Sequence, residues 1–157
     1  MILNGMTKMH SNAVVANAFG LFGGGYTTSP TAYTDKYTYS GDTVVAGTGL
    51  GVARYFLAAT GNSTVGIFGG GNVSGNRTDK YTYSGDTVVA GTVLGLARIG
   101  LAATGNSTVG IFGGGGNPIT AHTDKYTYSG DTVVAGTVLG VARYGLAACS
   151  STANGLI

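Results

Sequence analysis

Apolar residues in this chain fall into short runs of strand length, separated by turns built from Gly, Asn, Ser and Asp, and the alternation returns every 44 or 45 residues. One period predicts four strands. The first runs from Tyr55 to Thr60 and is closed by the turn Gly61-Asn62; the second, Thr64 to Phe68, runs into Gly69-Gly70-Gly71. A variable loop follows. The third strand, Lys36 to Tyr39 in the preceding copy, puts Tyr37 and Tyr39 on one face and Lys36 and Thr38 on the other. Ser40-Gly41-Asp42 then makes a hairpin turn into the fourth strand, Thr43 to Ala46.

The repetition is literal over long stretches. TDKYTYSGDTVVAGT occurs unchanged at 34–48, 78–92 and 123–137, and LAATGNSTVGIFGGG at 57–71 and 101–115. Identity at a fixed period makes the chain a tandem array of one supersecondary unit. Composition makes that unit β: 30 Gly, 10 Tyr and abundant Thr and Val accompany 9% charged residues and no Glu. Pro30 and Pro118 both fall in the variable segments, which read as loops. Sheets this short and Gly-rich need a neighbour on each face to take Val, Ile, Phe and Tyr out of water, and radial stacking of such sheets is a β-propeller.

The unit resembles the kelch repeat. The resemblance rests on an Arg before the first strand (Arg54, Arg98, Arg143), a second strand ending in a glycine pair (Phe22-Gly23-Gly24, Phe68-Gly69-Gly70, Phe112-Gly113-Gly114) and a Tyr on the third strand (Tyr39, Tyr83, Tyr128). It departs on the fourth strand, where Val44-Val45 and their counterparts stand in place of the family's Trp. The resemblance implies an all-β fold of kelch-like propeller blades, each of four antiparallel strands. We expect one repeat domain over 1–157, with blades at about 10–50, 54–94 and 98–139 and a partial blade at 142–157 that residues 1–9 complete as a hybrid. About three and a half blades per chain leave a ring open. The expected remedy is a homodimer closing seven blades, with incorporation into a longer array as the rival.

Charge and chemistry narrow the function. Each unit carries two Asp, one Lys and one Arg, as in Asp35, Lys36, Asp42 and Arg54, and these cancel. The formal +2 comes from Lys8 and Arg77, and without a basic stripe no nucleic-acid partner is expected. Asp35, Asp79 and Asp124 with Arg54, Arg98 and Arg143 are expected to form structural ion pairs of the repeat. The opening residues have neither a basic nor an uninterrupted apolar segment, and no run reaches membrane-spanning length, so neither standard export nor a membrane partner is expected; the compartment stays unassigned. Cys149 is single and stands where Thr60 and Thr104 stand in the other copies, which rules out an internal disulfide. His10 and His122 lie in non-repeated segments. With two His, one Cys and no Glu, no catalytic set, metal site or cofactor is expected. The glycine runs lack a following Gly-Lys-Ser/Thr and read as strand-end turns rather than phosphate cradles.

What varies between copies is the segment after the glycines: Tyr26 to Tyr33, Asn72 to Arg77 and Asn117 to His122. Such loops lie on one rim of a propeller and carry recognition. The expectation is therefore a non-enzymatic scaffold or binding platform. A fibrous or appendage β-repeat protein and an enzyme using the axial funnel are the alternatives.

Overall fold

A computed structural model describes residues 19–151. The expected first strand of the first unit, residues 1–9 with His10, and the last part of the terminal fragment lie outside the described residues. Those described are all-β without a helix: eleven strands in three antiparallel sheets. The first sheet is β1 (Phe19–Gly23), β2 (Thr34–Thr38) and β3 (Thr43–Ala46). The second is β4 (Leu57–Gly61), β5 (Val65–Gly70), β6 (Thr78–Thr82) and β7 (Thr87–Gly91). The third is β8 (Ala102–Gly105), β9 (Val109–Gly113), β10 (Thr123–Thr127) and β11 (Thr132–Ala135). Each is a meander in sequence order, so every strand pairs with its chain neighbour.

Local chemistry explains the turns. The side-chain carbonyl of Asn62 accepts from the Thr64 and Val65 N–H groups and from the Thr64 hydroxyl, and Asn106 repeats the arrangement. In the Ser-Gly-Asp hairpins Asp42, Asp86 and Asp131 take φ of 48°, 49° and 49°, the left-handed conformation Asp tolerates better than most side chains. Strand limits shift by one or two residues from the sequence expectation, and two starts move by two. The third strand of each unit begins at the Thr of Thr-Asp-Lys-Tyr, because Thr34, Thr78 and Thr123 donate their hydroxyls to the carbonyls of Thr48, Thr92 and Thr137 and belong to the sheet. The first strand begins at Leu57 rather than Tyr55, since Phe56 at φ 58° breaks the extended backbone.

Packing runs from sheet to sheet. Phe68 lies over Gly23 of the first sheet, and Phe112 lies in the same way over Gly69 of the second. Leu50 with Phe68 and Tyr81 forms the core between the first two sheets, and Leu94 with Phe112 and Tyr126 that between the last two. β4 packs against β8 and β9 of the following sheet. The strands farthest along each meander stay wet: β3 is exposed throughout, and Val44, Val45, Val89 and Val134 project into solvent.

A Cβ at Gly69 would stand 2.8 Å from Phe112 Cε1, whereas one at Gly85 meets only ordinary contacts with Thr87. Gly69→Val is therefore expected to destabilise the fold by about 1–3 kcal/mol through overpacking. Gly85→Ala is expected to stay within about 0.5 kcal/mol. Denaturant unfolding of the two variants checks both.

Candidate functional site

Two kinds of position stand out: charged side chains buried just ahead of β4 and β8, and the variable loops beside them. Arg54, just ahead of β4, is fully buried and its Nη2 donates to Asp79 on β6. Its Nη1 donates to the carbonyls of Gly70 and Arg77, both at 2.9 Å. Arg98 repeats this in the third sheet, with Asp124 and the carbonyls of Gly114 and His122. Each pair thus lies within one sheet, the Asp following its Arg by 25 or 26 residues. Burial draws both guanidinium groups below the ordinary arginine range, and the neighbouring carboxylate opposes that shift.

The other carboxylate oxygen is taken up by the last residue of the variable loop, which stands two positions earlier and hence on the same face of the strand. Arg77 approaches Asp79 Oδ1 at 3.4 Å, and His122 Nε2 approaches Asp124 Oδ1 at 3.1 Å. The link between these loop residues and the ion pairs is absent from the motif reading; the i, i+2 spacing was the signal available for it. Asp35 and Arg143, the outer members of the series, are exposed and form no ion pair among the described residues. A further contact crosses between sheets: Lys36 Nζ lies 2.8 Å from Asp86 Oδ2, and this hydrogen bond holds the Asp86 carboxyl below the usual range.

All three variable loops join a second strand to a third and so emerge at one end of the sheets. They are tied to the approach to the next sheet by Leu50 N–H to Ala32 O, Leu94 N–H to Asn76 O and Leu139 N–H to Ala121 O, each 2.8 Å. Tyr26 and Tyr55 meet edge to face at 5.1 Å, the Tyr55 and Phe56 rings lie 4.8 Å apart at a tilt of 53°, and the Asn72 amide donates to the Tyr55 hydroxyl. The loops of the first two sheets therefore share one aromatic patch, which continues into exposed Phe56 and Val73. Tyr33 is exposed nearby in sequence, and Asn117, at φ 76°, is exposed in the third loop beside Ile119. At the opposite end a groove of about 300 Å³ between the second and third sheets is lined by Asn62, Thr64, Lys80, Thr108 and Tyr128. Among the described residues no three His, Cys, Asp or Glu side chains converge as metal ligands, and no helix is long and apolar enough to cross a membrane.

Buried Tyr hydroxyls add a titration. Desolvation pushes Tyr83 up to about 12 and raises Tyr128 as well, the hydrogen bond with Thr60 opposing the latter shift.

Replacing Asp124 by Asn leaves Arg98 buried without its countercharge, and a loss of about 3–5 kcal/mol is expected from chemical denaturation. Lys36→Ala, which opens a half-exposed pair, is expected to shift the midpoint far less. For Tyr83 the folded-state value lies above the unfolded value near 10. Its contribution is therefore intact below pH 10 and is lost as pH rises toward 12. Thermal melts across that window are expected to fall, and to fall less steeply for Tyr83→Phe.

Compared with known proteins, the chain matches no protein-family model and no curated protein.

Proposed function

We propose that the chain is a non-enzymatic β-propeller module, a binding platform whose sheets are kelch-like blades and whose ring closes by association of chains. The observation that carries this reading is a division of labour within the repeat. Most side chains that build and seal the sheets recur from copy to copy, while the loops at one end differ, and the first of them displays Tyr26 and Tyr33 to solvent. The packing of β4 on β8 and β9, with β3, β7 and β11 at the far ends of their sheets, supports a radial arrangement with first strands nearest the axis. Tyr and Phe at the loop end suit recognition because they offer large contact area at small conformational cost, and Asn72 and Asn117 add hydrogen-bonding groups.

Electron microscopy of the purified protein is expected to show closed rings with a central channel; rods would favour a fibre instead. The platform is tested by screening glycan and peptide arrays, then repeating the screen with Tyr26→Ser, Tyr33→Ser and Val73→Ser combined. A ligand held by the parent and bound at least tenfold more weakly by the variant, at unchanged melting temperature, is the expected result. No retained ligand, or one indifferent to the loops, contradicts it.

A further inference from the structure

Resting on that reading, we infer where two copies join: residues 143–149 of one chain complete the first sheet of the other by pairing along β1, with Arg143 forming a buried ion pair with Asp35. Both halves of this junction are built in one chain, each lacking the contacts made at the internal junctions.

The C-terminal half is already seated. The Gly115 N–H donates to Arg143 O at 2.9 Å, just as Gly25 and Gly71 donate to Arg54 and Arg98. Leu146 lies against Gly114 as Leu57 lies against Gly24 and Leu101 against Gly70. The Thr104 hydroxyl donates to Cys149 O at 2.8 Å, the counterpart of Thr60 to Thr104 O. Residues 146–149 thus lie on the third sheet as a first strand lies on the sheet before it, yet they belong to no described sheet.

The N-terminal half is the complement. Among the described residues β1 pairs only with β2, and no described strand lies along its other edge. Phe22 is 66% exposed where Phe68 and Phe112 are 3% and 0%. The glycine equivalent to those they cover, Gly113, carries no aromatic ring. Tyr81 and Tyr126 point their hydroxyls at Gly47 and Gly91, and no Tyr reaches Gly136 in the same way. Thr48 and Thr92 donate their hydroxyls to the carbonyls of Asp86 and Asp131 in the next sheet; Thr137 is exposed, and Asp42 is instead bonded to Tyr37.

Carrying the internal register across puts Ala147 opposite Gly23 and Cys149 opposite Leu21, as Ala58 faces Gly69 and Thr60 faces Ile67. It sets Arg143 against Asp35, as Arg54 stands against Asp79. Charge and shape both select a second copy of this chain, since each unfilled position finds its complement at the other end of the same sequence. The junction adds a fourth strand to each first sheet, three-stranded among the described residues, so two copies give six blades. A ring of two identical chains has two identical junctions and therefore an even blade number, which replaces the seven obtained by adding half-blades. Three copies would give nine, outside the usual range of about four to eight.

Light scattering and native mass spectrometry of the full chain test this. The parent is expected at twice the 15.6 kDa chain mass. Asp35→Arg and Arg143→Asp alter side chains exposed in the single chain, so each variant is expected to keep the parent's circular dichroism. Each alone is expected to dimerise about a hundredfold more weakly or worse, because like charges meet in a buried site. Mixing the two is expected to restore a dimer, since both junctions then hold an Arg–Asp pair. A parent dimer that neither variant weakens overturns the junction while leaving chain association standing. A parent that stays monomeric at all concentrations overturns both, and an open-ended series of larger species overturns closure by two copies.

Discussion

An aromatic ring resting on the bare backbone of a glycine in the preceding sheet is the contact on which the rest of this structure depends. Phe68 on Gly23 and Phe112 on Gly69 bring adjacent sheets close enough for Leu50 and Leu94 to be sealed between them. Burying one such side chain contributes about 1.5–3 kcal/mol. A sheet this small has little else to hold it, and its outermost strand is largely wet. Stability is then a property of junctions more than of units, as in other stacked repeats.

The buried Arg–Asp pairs serve a different end. Desolvating a guanidinium and a carboxylate costs much of what their attraction returns, so Arg54–Asp79 and Arg98–Asp124 are poor evidence of net stability. What they define is position. Each Arg lies at the end of the connection entering a sheet and reaches across it to the third strand, hydrogen-bonding the carbonyls of two further residues on the way. Misplacing the first strand would strand the charge, which ties the entry of the second and third sheets to their interiors. Arg77 and His122 connect the same carboxylates to the variable loops, so loop sequence and scaffold geometry are coupled at one oxygen atom.

Much of this was legible in the sequence because the strand pattern repeats: the glycine-terminated second strand, the Tyr-bearing third and the Asp hairpin lie within a residue or two of where the pattern puts them. The departures have local causes. Phe56 in a left-handed conformation turns Tyr55 out of the strand and into the aromatic patch, which periodicity cannot reveal. Lys36–Asp86 was hidden because its partners sit in different sheets, 50 residues apart, and depend on how those sheets stack. The pairing of His122 with Asp124 was hidden for a smaller reason: a histidine in a non-repeated segment draws attention to itself rather than to the strand face it shares.

Amide hydrogen exchange, followed strand by strand as concentration is raised, tests most directly whether junctions hold the sheets. The second sheet, flanked on both sides, is predicted to be the most protected in dilute solution, with β1, β2, β9 and β10 rising toward it as chains associate. Equal protection of all three sheets at every concentration would show that each stands by itself, and would contradict the account.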